Sequence, residues 1–230
     1  MKNISINKKV FVSIILFIAI QILSAYLFYQ VNQSNVTFAE KELMGNSYQR
    51  PLMKILFDLT NHKIAIKKHQ LGLNNSSDEI ILLNDSISKN FEELAGEKTI
   101  ATELKFSEGE LASRDKGDLN LNLVENDWMN LKNKSSSSII PDTSSDHAAL
   151  IKKIRGMITH AGDTSNLILD PDLDSYYLMD ITLLAIPQML DRLSSVADHV
   201  FPVLNKKYSI SKKDAIQLAI YARFLQEADI

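Results

Sequence analysis

The sequence predicts an all-α chain: an N-terminal transmembrane helix continuing into an elongated extracytoplasmic helical bundle. Three features point there. Residues 10 to 31 carry no charge, a seven-residue apolar repeat follows directly, and 7 glycines and 5 prolines in 230 residues leave little material for a turn-rich β architecture.

The uncharged run follows a basic start at Lys2, Lys8 and Lys9 and contains Phe11, Ile14, Leu16, Ile18, Ile22, Leu27 and Phe28. As a helix it reaches roughly 33 Å, enough to cross a hydrocarbon core of about 30 Å. A cleaved signal peptide has a shorter apolar region and a small-x-small exit, and neither is present, so an uncleaved anchor is expected. The lysines before it favour a cytoplasmic N-terminus. This divides the chain into a cytoplasmic segment 1–9, a membrane helix 10–31 and an extracytoplasmic domain 32–230. Without the three leading lysines, 22 basic residues face 28 acidic ones. That balance argues against nucleic acid and against a polybasic lipid-binding surface. With no cysteine, disulfides, thiol catalysis and iron-sulfur clusters are excluded, and stability must come from packing.

The repeat places Val31, Phe38, Gly45, Leu52, Leu59, Ile66 and Leu73 seven apart, with Tyr48, Ile55, His62 and His69 on a second seam three positions on. This is the pattern of a helix packed lengthwise on partners, and the membrane helix is expected to run straight into it. Gly72 and Asn74 to Ser77 break the helix. Ser77, with Asp78 and Glu79, caps a second one carrying Ile80, Leu83, Ile87, Phe91 and Leu94 on one face, forming an antiparallel hairpin with the first. Residues 96 to 134 are less periodic, with Gly109 and Gly117 as breaks and a short helix around Trp128, and 135 to 145 read as a loop.

A third helix begins near Asp146 and carries Ile151, Ile154, Ile158, Ala161, Ser165 and Ile168 at steps of three and four. It stops at Asp170-Pro171. There Asp170 can cap a fourth helix, Pro171 suits its first turn, and Asp172 and Asp174 favour the positive end of the dipole. The inward stripe of the fourth helix reads Tyr176, Met179, Leu183, Ile186, Leu190, Leu193, Ala197 and Val200, with Pro187 as a bend. Ser209 or Ser211 opens a fifth helix with Ile216, Ala219, Ile220 and Phe224. No C-cap signal precedes Ile230, so a chain truncated inside a helix is expected.

The run Ser165 to Asp180, with Leu-Asp-Pro-Asp-Leu-Asp-Ser-Tyr-Tyr at 169–177, and Leu190 beyond it resemble the extracytoplasmic sensor region of bacterial methyl-accepting chemotaxis receptors and related membrane sensor kinases. Gly45, Tyr48, Pro51, Leu52 and His62-Lys63 resemble the first sensor helix of those receptors. The resemblance implies a sensor module in a bacterial inner membrane, working as a homodimer on a small-molecule ligand. Such receptors continue into a second membrane helix, a HAMP linker and a signalling domain, none of which lies in this sequence. The output could be that of a chemoreceptor or of a histidine kinase. A membrane-tethered adaptor or structural protein is the alternative of a different class, and an extracytoplasmic enzyme comes third.

Asp170, Asp172 and Asp174 have the spacing that opens an EF-hand, but the sixth loop position is Ser175 instead of glycine and the twelfth is Ile181 instead of glutamate. Calcium is therefore not expected. Helical spacing puts Asp172 beside Tyr176 on the inward face and turns Asp174 away. His62 and His69 sit about 10.5 Å apart along the axis, too far to share one ion. His147, His160 and His199 lack a local partner pattern. Trp128 reads as a packing anchor. The ligand-binding candidates are Tyr48, His62, Asp172 and Tyr176, and Asp170, Pro171, Asp174, Ser175 and Tyr177 form the helix-start motif. Nucleotide loops, a nucleophile elbow and a zinc-protease motif are absent, so no catalytic residue, metal or cofactor is expected.

Overall fold

The computed structural model describes residues 6–72, 77–137, 139–169, 173–204 and 210–226. The chain is all-α, 88% helical, with no strand among the described residues. It separates into two compact units, Met1–Glu42 and Leu43–Ile230.

The first helix, α1, runs Ile6–Gln70 and contributes to both units. In the first unit every side chain from residue 6 to 37 is exposed, including Phe11, Ile14, Leu16, Ile22 and Phe28. Burying such a surface requires an apolar surrounding, and this part of α1 is long and apolar enough to cross a membrane.

In the second unit the character of α1 changes within two turns. Gly45, Tyr48, Leu52, Ile55, Leu59, His62 and Ile66 are all buried, which is the seven-residue seam turned inward. Earlier on the same repeat Val31 is 58% exposed, so the repeat acquires its packing role only past Glu42. Gly45 is required by close approach, because a Cβ there would lie 2.3 Å from both Cβ and Oγ of Ser165. Pro51 sits inside the helix without interrupting it; its missing N–H leaves the Ser47 carbonyl without its helical donor.

Helix α2, Ser77–Gly96, starts at the predicted serine with Asp78 and Glu79 in its first turn, and buries Ile80, Asn84, Ile87, Asn90, Phe91 and Leu94. The following stretch holds more helix than its weak periodicity suggests. It forms α3 (Lys98–Glu103), α4 (Glu108–Ala112), a 3₁₀ turn at Gly117–Leu119 and α5 (Leu121–Ser135). Gly109 lies inside α4 instead of breaking it. Helix α3 closes in a Schellman arrangement, with Phe106 N–H on Ala101 O and Lys105 N–H on Thr102 O, and Lys105 takes the left-handed position usually given to glycine (φ 60°).

Helix α6, Ser144–Thr164, begins two residues before the expected Asp146. The cause is Asp142, whose Oδ1 accepts from the Ser144 N–H (3.1 Å) and hydroxyl (2.8 Å), an Asx turn that starts the helix early. Asp146 instead pairs with Lys134.

The expected fourth helix divides. Helix α7, Leu173–Asp180, leads into a π-helical turn at Ile181–Ala185 and then α8, Ile186–Leu204. Pro187 cannot donate to the Leu183 carbonyl, and the extra residue of the π-turn takes up the mismatch. Of the expected inward stripe Met179, Leu183, Leu190 and Ala197 are buried; Pro187 and Ser194 are buried as well, whereas Leu193, expected inward, is 41% exposed. Helix α9, Lys212–Gln226, starts with a reciprocal cap: Ser211 Oγ accepts from Asp214 N–H, and Asp214 Oδ2 accepts from Ser211 N–H and Oγ–H. Of the two serines considered as its start, Ser211 fills the role.

One core cluster joins α1 to α8 in the second unit, centred on Tyr48, Leu52, Leu59, Phe91, Trp128 and Ile154. A smaller one, Ala65, Ile66 and Ile80, lies where α1 meets the start of α2.

The close seat of Gly45 yields a direct expectation. Gly45→Ala forces Ser165 and Leu167 apart and should destabilise the chain by about 1–3 kcal/mol, while Gly96→Ala, with no atom within 4 Å of the new methyl, should be neutral or slightly stabilising. Thermal melts of the two variants decide it. Equal effects would show that α1 and the end of α6 are less closely packed than described.

Candidate functional site

Helix α1 presents two buried polar nodes along its inner face, one around His62 and one around Tyr48. The two anchors are 14 residues apart, about 21 Å along a helix. The structure therefore does not bring the sequence candidates Tyr48 and His62 into one pocket.

At the first node His62 is wholly buried, and its Nδ1 lies 2.8 Å from Nε2 of His147 on α6. His147, also wholly buried, places its own Nδ1 2.8 Å from the Thr143 carbonyl. These contacts fix the protons. A carbonyl only accepts, so His147 Nδ1 carries a hydrogen; in the neutral ring its Nε2 is then an acceptor, and His62 Nδ1 donates to it. The remaining nitrogen, His62 Nε2, is a buried lone pair without a hydrogen-bond partner, as is the Asn84 Oδ1 of α2. The His62 ring meets Trp128 of α5 edge-on at 5.5 Å between centroids. Trp128 has no exposed surface and donates from Nε1 to Ser88 Oγ (3.1 Å), a hydroxyl also reached by Lys132 (3.0 Å), in keeping with a packing anchor.

The next residue of α1 adds a charge. Lys63, its side chain 5% exposed, pairs at 2.5 Å with Asp198 of α8, 26% exposed, and Ser144 Oγ stands 3.4 Å from the other oxygen of Asp198. The first node thus draws on α1, α2, α5, α6 and α8. Burial is the main cause holding both imidazoles neutral: His62 is pushed down to about 3, with His147 opposing its charge and Asn84 favouring it, and His147 to about 4, with the Thr143 bond working the other way. On the outer side, the two hydrogen bonds from Ser144 hold Asp142 below its ordinary value.

The second node is aromatic. Tyr48 and His160 flank Phe106, at 4.8 and 4.6 Å between centroids. His160 donates from Nε2 to the carbonyl of Lys105 (3.1 Å), so a helix-ending loop is held by a histidine from α6. Its Nδ1 and the Tyr48 hydroxyl are buried without a partner. Burial raises the Tyr48 hydroxyl pKa and lowers that of His160.

Among the other sequence candidates, Asp170, Pro171 and Asp172 lie outside the described residues. Asp174, Ser175 and Tyr176 belong to the backbone of α7, but their side chains are outside the described set. Tyr177 is 56% exposed. His69 is half-buried on the last turn of α1, and His199 faces Tyr221 of α9 at 5.6 Å. Among the described residues no group of three or more histidines and carboxylates is placed to hold a metal ion. Two open grooves flank α6. One of about 310 Å³ lies against α5 between Asp127, Lys134, Asp146 and Lys153, and one of about 400 Å³ lies against the π-turn between Lys152, Arg155, Thr159, Leu183, Pro187 and Gln188.

Sequence reading missed Asn84 and Asp198, placed Lys63 only within the resemblance, and gave His147 no partner. His147 does have a partner, 85 residues away. The available signal was polar residues on inward stripes: Asn84 falls between Ile80 and Ile87, and His147 one turn before Ile151. Compared with known proteins, the chain matches no family model, no curated protein and no solved structure.

Two expectations follow from the nodes. Asp198→Ala strands a buried ammonium and should cost roughly 2–4 kcal/mol, whereas Lys63→Met keeps the stem and removes the charge and should cost clearly less. Melting curves that rank the two the other way would show that Asp198 does not compensate Lys63. Tyr48→Phe removes a hydroxyl without a partner and should leave stability unchanged or raise it by up to about 1 kcal/mol. A loss above that would reveal a bound water or other partner on the hydroxyl.

Proposed function

We propose that the chain is the N-terminal sensor module of a chemoreceptor-like membrane receptor in a bacterial inner membrane. In this reading residues 1–9 are cytoplasmic, 10–31 span the membrane, and 32–230 form an extracytoplasmic helical bundle. The observation that carries it is that one helix, α1, supplies both the exposed apolar segment of membrane length and, from Gly45 onward, the buried seam on which the other helices pack. A solute that favours one packing of α2, α6 and α8 against that seam would bias the same helix that enters the membrane. The module would work as a homodimer, its ligand a small solute in a polar groove such as that between α6 and the π-turn, with Lys152, Thr159 and Gln188 as contacts. The signal it feeds would be that of a chemoreceptor or of a histidine kinase.

Topology and solute binding are tested separately. A reporter active only outside the cytoplasm, fused after Ile230, should be active, and a cytoplasm-only reporter there should be silent; the reverse pattern refutes the orientation. For binding, the full chain in lipid nanodiscs is screened by thermal shift against small carboxylates, amino acids and amines. A solute present at about 100 times its dissociation constant should stabilise the chain by roughly 2.7 kcal/mol. A screen without a stabilising solute, together with stable capture of one protein partner, would favour the membrane-tethered adaptor.

A further inference from the structure

The first node leaves two acceptors together. His62 Nε2 is a bare lone pair, Asn84 Oδ1 is a carbonyl oxygen without a donor, and the Asn84 carboxamide is placed to hydrogen-bond the charged form of His62. A proton on Nε2 supplies the missing donor. We propose that His62, His147 and Asn84 form a binding site for a single proton, whose filling sets how firmly α1 is held to α2 and α6.

The donor inventory supports one proton and no more. With Nε2 protonated, His62 donates to Asn84 Oδ1 and, from Nδ1, to His147 Nε2, while His147 donates to the Thr143 carbonyl, so each of the three ring N–H groups has an acceptor. The only site for a second proton is His147 Nε2. There it would face the His62 Nδ1–H, donor against donor at 2.8 Å, and the rings must part. In the neutral state the Asn84 carboxamide satisfies His62 only by turning over to present its NH₂. The amide therefore reads the charge of the ring.

The charged groups around the site come from four helices. Lys63 on α1 opposes a charge on His147. Asp198 on α8 favours it but is bonded to Lys63, and Asp146 on α6 favours it but is bonded to Lys134 of α5. Lys132 of α5 sits on Ser88 behind the Trp128 indole, and α2 adds only neutral Asn84 and Ser88. Burial outweighs these groups and keeps the folded-state values near 3 and 4, below the ordinary 6.5. The closed arrangement is therefore fully favoured above pH 6.5. It loses up to tenfold per histidine for each pH unit between 6.5 and the folded values, because rings exposed to water bind the proton more readily. Acid loosens α1 from its partners. This inference does not depend on the sensor reading.

Trp128 is the only tryptophan and lies edge-on to His62, so its fluorescence reports the charge of that ring, since imidazolium quenches indole. The full chain in nanodiscs is titrated from pH 7.5 to 3 while circular dichroism follows helix content. The expected result is reversible quenching with a midpoint between about 3 and 6.5 while helicity is retained, absent in His62→Gln. Asn84→Asp places a carboxylate on the ring and should raise proton affinity at least tenfold, moving the midpoint up by a unit or more. If His62→Gln does not fold, ¹⁵N shifts of the His62 ring in the wild type and Asn84→Asp read the same proton directly. Flat fluorescence, loss of helix before quenching, or a midpoint unmoved by Asn84→Asp each overturns the proposal.

Discussion

Burying polar groups inside a helical core is costly unless each finds a partner, and in the second unit the helices around His62 meet that demand at its Nδ1. The imidazole cannot be satisfied by its own helix. Its Nδ1 finds His147 on α6, which in turn needs the Thr143 carbonyl just before that helix begins, so the start of α6 and the register of α1 are set by one chain of hydrogen bonds. Asp142 and Ser144 fix the helix start from the solvent side, and Lys63 with Asp198 brings α8 to the same level. Apolar contacts supply most of the burial around this node, yet they are non-directional and would tolerate a shift of α6 along α1. The hydrogen-bonded histidines would not.

At the level of Tyr48 the fit comes mainly from shape. Gly45 lets the end of α6 approach α1 closely enough for Ser165 to occupy the space of a side chain, and His160 ties the loop after α3 to α6 through a backbone carbonyl. The short elements of the weakly periodic region also place Leu104, Phe106, Leu111 and Leu119 in the core. Lys105 takes a left-handed conformation in the loop that His160 anchors.

The π-turn at Ile181–Ala185 has a different consequence. It accommodates Pro187, and beyond it α8 keeps Leu190 and Ala197 buried on the expected stripe. Asp198, next to Ala197, reaches Lys63 of α1.

From the sequence alone came the helical class, the membrane-length apolar run, the seam of α1 and several element ends, including Ser77 and the break after Gln70, whereas α6, expected to run to Asp170, ends at Thr164. These are properties of local spacing: a seven-residue repeat, a cap or a proline acts within one or two turns and is visible along the chain. His62 stood out because a polar residue fell on an apolar seam. Its meaning did not, since His147, Asn84 and Asp198 are supplied by three other helices, and helix docking is decided by the sum of side-chain shapes and unpaired polar atoms across the core. The π-turn had the same origin: the three-four spacing placed Leu183, Leu190 and Ala197 inward, but it assumed an unbroken helix and gave no sign of the turn at Ile181–Ala185.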